Sequence, residues 1–352
     1  MTLSLLTLTD FRNHVRLTLR PQAQFIALHG PNGAGKTNIL EAVSLLVPGR
    51  GLRRAALPEM ANSAHANGFS ISAELDGTII GTGTEAAAPE RRKVRINGAN
   101  ASINALAEWL SAIWLTPSMD RLFADGAGAR RRFLDRLVLA LEPGHARHAA
   151  RYEKAVQQRN RILATNTAPD PMWLDAIETQ MAESGGFIIE ARARMLAALD
   201  TQLAVLPKDP FPVPDILLAM AGPTNAPELK EIWRLSRRKD AGAGRTLIGP
   251  HRADLVVHNR VNGQAADRCS TGEQKALLLS LILAHAALVT DQRSAPPILL
   301  LDEVAAHLDP FRRAALFERL AATGAQVWMT GTEAALFDAI GPAAQLVAVS
   351  PD

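Results

Sequence analysis

The chain has a single cysteine, Cys269, in 352 residues, so no internal disulfide can form, and no Cys/His grouping has the spacing of a zinc site. A reducing compartment fits both facts. Nor is there an apolar run near the roughly 20 residues a membrane span needs. Met1 to Asp10 lacks the basic flank and apolar core of a signal peptide. A soluble, unexported cytoplasmic protein is expected. No Ser-His-Asp or Cys-His arrangement is legible, which leaves covalent nucleophilic catalysis without a candidate. Net charge is scarce as well, at +3, but it is unevenly spread. Asp120 to Ala164 holds ten Arg or Lys against five Asp or Glu, leaving about −2 for the remainder.

What is present is a phosphate loop. Gly30-Pro31-Asn32-Gly33-Ala34-Gly35-Lys36-Thr37 meets the pattern G-x-x-x-x-G-K-[ST] at every required position. Glycines let backbone N–H groups turn inward around phosphates, Lys36 brings a compact cation to the β- and γ-phosphates, and Thr37 offers a hydroxyl to Mg²⁺. Phe25 to Leu28 before the loop reads as a buried strand. Ile39, Leu40, Val43 and Leu46 behind it recur at helical spacing. The order strand, loop, helix aims the positive end of a helix dipole at the phosphates.

Taken in order, Leu3 to Leu8 and Val15 to Leu19 read as two strands joined by a bend at Phe11-Arg12-Asn13. Phe69 to Leu75 and Lys93 to Ile96, the latter running into Asn97-Gly98, continue an antiparallel β region that ends at Ile113 to Pro117. Helices follow. Phe133, Leu134, Leu137, Val138 and Leu141 share one face before Pro143-Gly144, and Tyr152, Val156 and Leu163 mark a second helix. Trp173, Leu174, Ile177, Met181, Ile188, Leu196, Leu199 and Leu203 mark a third, with an interruption expected at Gly185-Gly186. Sustained heptads are missing, so no long coiled coil is expected. Prolines 207, 210, 212 and 214 mark a domain edge. Beyond it come a strand at Ile216 to Met220, a helix at Glu228 to Lys239, and β character at Thr246 to Pro250 and Leu255 to Val257. The tryptophans, Trp114 and Trp328 among them, are expected in the core.

A second chemical cluster lies near the C-terminus. Ile298-Leu299-Leu300-Leu301-Asp302-Glu303 puts two carboxylates at the end of a buried strand, where α/β sheets place their ligands. Asp302 suits the Mg²⁺ shell, and Glu303 suits orienting or deprotonating an attacking water. Upstream, Ser270-Thr271-Gly272-Glu273-Gln274-Lys275 opens a helix whose face is Leu277, Leu278, Leu281, Ile282, His285 and Leu288. Ser270 or Thr271 is its N-cap, a second helix start able to receive phosphate.

Phosphate loop, S-T-G-E-Q-K segment, L-L-L-D-E strand and Ala305 to Asp309, in that order, resemble the ABC-type ATPases in their SMC-like branch. Within it the chain resembles the bacterial recombination mediators. Phe11-Arg12-Asn13, Gly35 to Ala42, Arg131 to Asp135, Gln158 to Asn160, Gly249 to Arg252, Cys269 to Lys275 and Val327 to Thr332 carry that likeness. The resemblance implies an α/β ABC-type ATPase head with an antiparallel β region, over 1–116 and 213–352, and an inserted mainly helical lobe over 117–212. It implies ATP and Mg²⁺ as cofactors. Nucleotide contacts would run from Gly30 to Asn38, Asn38 included, with Lys36 and Glu303 catalytic and Thr37 and Asp302 on the metal. It further implies an ATP-dependent head-to-tail homodimer in which Ser270, Thr271, Gly272, Glu273 and Gln274, with Asp309, complete the partner's site. The switch position, where many ABC-type ATPases carry His, is Thr330 here, which agrees with slow turnover.

The same resemblance implies weak DNA-dependent ATPase activity, binding to gapped DNA and single/double-strand junctions, and work with RecO and RecR to load RecA, near the nucleoid. Arg130, Arg131, Arg132, Arg136 and Arg151 are the DNA candidates, alongside Arg147, Lys154, Arg159 and Arg161, as a salt-sensitive patch for phosphates. Arg12 is placed toward nucleotide or DNA, and His251 and Arg252 toward structural or interfacial roles. Three rivals stay open at this point. A transporter ATPase subunit shares the nucleotide motifs but not the large insertion, and a chromosome-organising SMC head needs a long coiled coil. A DNA clamp would use ATP only to stay shut.

Overall fold

The computed structural model describes residues 2–64, 68–165, 170–207 and 209–350, and Met1 lies outside them. The chain divides into two compact units: Met1–Asp120, Pro207–Phe211 and Ile282–Asp352 in one, Arg121–Leu206 and Pro212–Leu281 in the other. The second unit thus takes in residues 213–281, which lie beyond the insertion expected from the sequence.

The first unit opens with β1 (Leu3–Phe11) and β2 (His14–Leu19), followed by β3 (Phe25–His29), the phosphate loop and α1 (Lys36–Ser44). After the short helix α2 (Leu57–Met60) come β4 (Ser70–Leu75), β5 (Thr78–Glu85), β6 (Ala88–Ile96) and β7 (Ala99–Ala101). Short α3 (Leu106–Trp109) leads to β8 (Ala112–Leu115). The antiparallel sheet has the order β2-β1-β4-β5-β6-β7. Its strands alternate: Leu6, Leu8, Ile71, Ala73 and Val94 are buried, and the residues between them are not. β5 does not stand out in the sequence, because Gly81 and Gly83 dilute its alternation.

The second sheet of this unit is parallel. It pairs β3 and β8 with β11 (Ile298–Leu301), β12 (Val327–Gly331) and β13 (Ala344–Ala348), in the order β13-β3-β12-β11-β8. Both faces are covered, which is why β11 and β12 are buried at every position and read as unbroken apolar runs. Each fully buried Leu or Ile here contributes about 1.5–3 kcal/mol. One core joins the sheets and α1 through Leu6, Leu8, Leu28, Ile39, Leu40, Leu300 and Trp328. The α9 helix (Pro310–Ala322) follows β11.

The other unit holds α4 (Ala127–Leu141), α5 (His145–Leu163), α6 (Pro171–Val205) and α7 (Ala226–Ala243). It also holds the antiparallel pair β9 (Pro214–Ala219) and β10 (Asp254–Asn259). Thr246 to Pro250 is not a strand: it is a loop leading into a short 3-10 turn. α6 runs 35 residues without the break expected at Gly185-Gly186. The reason is packing: a Cβ at Gly185 would lie 3.2 Å from the Tyr152 ring, and one at Gly186 would lie 3.3 Å from Ala226. The glycines let neighbouring elements approach α6. Trp233 is buried with Tyr152, Met181 and Ile188, but Trp173, expected on the apolar face, is 59% exposed. Trp109 is also partly exposed, at 37%.

α8 (Thr271–Arg293) begins in this unit and ends in the first. By length and composition it could cross a membrane, yet 83% of its apolar window is buried inside the protein, which makes it a core helix.

Charge is buried here as well. Arg159, fully buried, donates to Glu178 (2.9 Å), Asp240 (2.7 Å), the Thr246 hydroxyl (2.9 Å) and the Trp233 carbonyl (2.8 Å). Nearby, Tyr152 meets His251 Nδ1 at 2.7 Å, and His251 Nε2 lies 3.0 Å from the Thr246 carbonyl. A carbonyl only accepts, so Nε2 carries the proton and Nδ1 accepts from the tyrosine. His251 is therefore structural, and burial lowers its pKa.

Asp135 accepts two bonds from Arg192, at 2.8 and 2.9 Å, and lies 2.9 Å from His145 Nε2. Burial raises its pKa, but His145 and Arg192 outweigh that and bring the carboxyl down to about 2. A depressed carboxylate pKa contributes stability that is present above the unfolded value near 4 and lost as pH falls toward 2, about 2 kcal/mol in total. Asp135→Asn is expected to flatten the stability profile between pH 5 and 2, as read by urea unfolding at each pH. An unchanged acid limb would remove this pair from the account.

Candidate functional site

Parallel register brings the chemistry to one edge. Leu301 pairs with Met329, and Thr330 pairs with Leu28. Asp302-Glu303 after β11, Thr330 at the end of β12 and the loop after β3 therefore share the carboxyl edge of adjacent strands.

The loop itself is shaped by close approach. Gly30 and Gly35 have φ of 147° and 97°. A Cβ at Gly30 would fall 2.1 Å from the Val349 carbonyl oxygen, and one at Gly35 would fall 2.6 Å from the side chains of Asn13 and His14. Neither position admits a side chain. Pro31, Asn32 and Gly33 form an exposed crest, whereas Ala34 is buried. α1 starts at Lys36 with no acidic residue in its first turn, so its positive end is not offset. Lys36 Nζ donates to the carbonyls of Gly30 (2.7 Å) and Pro31 (2.8 Å), which holds the ammonium within the loop.

Thr37 Oγ1 donates to Asp302 Oδ1 at 2.8 Å, and Thr330 Oγ1 donates to the same oxygen at 2.8 Å. The Glu303 amide donates to Thr330 Oγ1 at 2.9 Å. Glu303 lies at φ 54°, in the left-handed region that costs a non-glycine residue about 1–2 kcal/mol. Such strain is held by its surroundings, and the hydrogen bond to Thr330 is part of them.

A brace supports the loop from β1 and β2. Arg12 Nε and one terminal nitrogen each donate to the buried Glu41 carboxylate at 2.9 Å, and the other terminal nitrogen donates to the Glu59 carbonyl at 2.7 Å. Arg53 also reaches Glu41, at 3.1 Å. Asn38 donates to Asn13 Oδ1 at 2.6 Å and accepts from Arg53, while Asn13 donates to the Ala34 carbonyl at 3.2 Å. Arg12, placed toward nucleotide or DNA by the sequence reading, is thus committed to Glu41. An acid on the buried face of an otherwise apolar helix was the signal that it needed a cationic partner.

In the other unit, Ser270 and Glu273 form a reciprocal cap: Glu273 N donates to Ser270 Oγ at 3.3 Å, and Ser270 N donates to Glu273 Oε2 at 2.9 Å. Ser270, Thr271, Gly272 and Glu273 are exposed, and Gln274 is buried with its amide on the Cys269 carbonyl at 2.9 Å. Asp309 caps α9 by accepting from Arg312 N at 2.8 Å, and Phe311 beside it is 71% exposed.

The arginine candidates for DNA divide. Arg130 forms a bidentate pair with Asp254 at 2.8 and 2.7 Å, and Arg131 donates to the Ala253 carbonyl at 2.7 Å. Arg159 is buried, and Arg136 is half-buried. Arg132, Arg147, Arg151, Lys154 and Arg161 are exposed, although Arg151 pairs with Glu183 at 3.0 Å. Arg147, Arg151, Lys154 and Arg161 follow one face of α5. The basic excess therefore reaches solvent mainly on α5.

The donor set fits a nucleotide with Mg²⁺. Among the described residues no group of three or more His, Cys, Asp or Glu could hold a metal ion. A hydroxyl, one carboxylate and substrate phosphates are what Mg²⁺ takes in such sites. Thr37, donating its proton to Asp302, keeps its lone pairs for the cation.

The chain matches the RecF/RecN/SMC N terminal domain family over residues 2–350. It is 49% identical over 363 residues to a DNA replication and repair protein RecF of Mesorhizobium japonicum, covering 99% of this chain and 96% of that protein. A RecF of Rhizobium rhizogenes is 49% identical over 364 residues, with the same coverage of 99% and 96%. In fold it is similar to a solved recombination mediator, RecF-ATPrS of the RecFOR pathway, at TM-score 0.84 and 23% identity, covering 95% of this chain and 93% of that one. An Smc head domain from Pyrococcus furiosus gives TM-score 0.56 at 15% identity, covering 99% and 94%.

Proposed function

This chain belongs to the RecF family, and from that membership we propose that it is an ATP-dependent DNA-binding protein of recombinational repair. Proteins of this name act in DNA replication and repair. The observation that carries the reading is the meeting of Thr37, Asp302 and Glu303 at one sheet edge beside the phosphate loop. Lys36 and the loop amides would bind the β- and γ-phosphates, and Thr37 and Asp302 would hold Mg²⁺, which supplies charge neutralisation. Glu303 would orient and deprotonate the attacking water.

The exposed Ser270 to Glu273 cap and Asp309 would complete the site of a second copy, so ATP favours a head-to-tail dimer through its higher affinity for the closed form. The dimer binds gapped DNA at single/double-strand junctions, with the α5 cations on phosphates, and helps RecO and RecR load RecA. Hydrolysis resets it. The protein works in the cytoplasm, at the nucleoid.

Sedimentation with labelled gapped DNA, with and without ATP and Mg²⁺ at two salt concentrations, tests this for wild type and Lys36→Ala. Wild type is expected as a DNA-bound dimer only with ATP, weakening steeply with salt. Lys36→Ala is expected to need about 10- to 100-fold more ATP, from the loss of charge-assisted hydrogen bonds. A wild-type protein that binds ATP yet stays monomeric and off DNA in every condition would overturn the reading.

A further inference from the structure

We infer that Thr330 is a positioning residue that holds both acids of the site through one hydroxyl, an inference that rests on the proposed ATPase reading. The directions of its hydrogen bonds are forced. A carboxylate only accepts, so Thr330 Oγ1 gives its single proton to Asp302 Oδ1 at 2.8 Å. A backbone N–H only donates, so the Glu303 amide, at 2.9 Å, must use an Oγ1 lone pair. Donor and acceptor roles are thereby both used, one on each acid.

The two bonds act on different parts of the chemistry. On Asp302, Thr330 and Thr37 converge on the same oxygen, which fixes the rotation of the carboxylate that would meet Mg²⁺. On Glu303, the bond holds the backbone of a residue at φ 54°, so it sets where the side chain leaves the strand end. Thr330 can do this because β12 lies between β3 and β11 in the parallel sheet, and Thr330 itself is 1% exposed. A histidine there would offer a longer ring on two torsions and could not reproduce this short bridge.

The test compares wild type, Thr330→Val and Thr330→Ser. Valine keeps shape and burial but removes the hydroxyl, and serine restores it. Phosphate release at saturating ATP, ATP affinity, the Mg²⁺ concentration giving half-maximal response, and thermal melting are measured for each. Thr330→Val is expected to lower kcat about 10- to 100-fold, as loss of groups that orient metal ligands does, and to raise the Mg²⁺ requirement several-fold. Its ATP affinity at saturating Mg²⁺ should stay within about threefold, and Thr330→Ser should recover most of the rate. Wild-type kcat and Mg²⁺ dependence in Thr330→Val would overturn the inference. So would Thr330→Ser being as impaired as Thr330→Val, which would assign the effect to packing. If wild type binds ATP but releases no phosphate, it is the ATPase reading that fails. The Mg²⁺ dependence of ATP binding then decides: a higher requirement in Thr330→Val upholds the positioning role, and an equal one refutes it.

Discussion

Glu303→Gln is expected to cut phosphate release by about 10²- to 10⁴-fold while leaving ATP affinity near wild type. The amide is nearly isosteric and can still direct a hydrogen bond toward water, but it cannot take the water's proton. The groups proposed to hold the nucleotide are not altered: Lys36 keeps its place in the loop beside the Gly30 and Pro31 carbonyls, and Thr37 keeps its bond to Asp302. The backbone bond from Glu303 to Thr330 is also indifferent to the side-chain change. The consequence reaches beyond the rate. If hydrolysis times the opening of an ATP-closed dimer, Glu303→Gln should remain on gapped DNA far longer than wild type in sedimentation or dissociation measurements. Equal lifetimes would favour a clamp in which ATP only holds the dimer shut.

The largest effect on stability is expected from Arg159→Met. Methionine fills much of the aliphatic volume but leaves Asp240 without its cation and takes one of two arginines from Glu178, both inside the protein. Asp240 keeps the Ser236 hydroxyl at 2.9 Å and the Leu247 amide at 3.1 Å, which solvate a carboxylate only in part. Breaking a buried pair on one side costs about 3–5 kcal/mol. The unit holding α4 to α7 should melt about 6–20 °C below wild type, at 2–4 °C per kcal/mol. Folded protein at low temperature should bind gapped DNA at wild-type strength, because a buried guanidinium reaches no phosphate. A DNA defect without a stability loss would contradict the burial of Arg159.

That arginine also shows where reading from sequence stops. As a residue of the basic segment, Arg159 is indistinguishable in sequence from Arg151 or Arg161, and all three suit one phosphate-binding patch. The structure commits it to Asp240, 81 positions away, just as Arg130 is committed to Asp254 at a separation of 124. Residue type gives a charge, but only the tertiary structure says whether that charge is already paired.

The sequence by itself determined the parts whose physics is local. The phosphate loop is eight contiguous residues, the Asp302-Glu303 pair ends an apolar run, and the Ser270–Glu273 cap spans one helical turn. The strand-helix alternation was legible too, because burial on one or two faces imposes a short period. What the tertiary structure decided is which distant groups meet. Thr37 and Asp302, 265 positions apart, share a hydrogen bond because parallel strands bring their carboxyl ends together. Arg12 went to Glu41, α6 ran through Gly185-Gly186, and one threonine came to bridge both acids for the same reason. Hydrogen bonds and close contacts act over a few ångströms of space, and separation along the chain does not measure that distance.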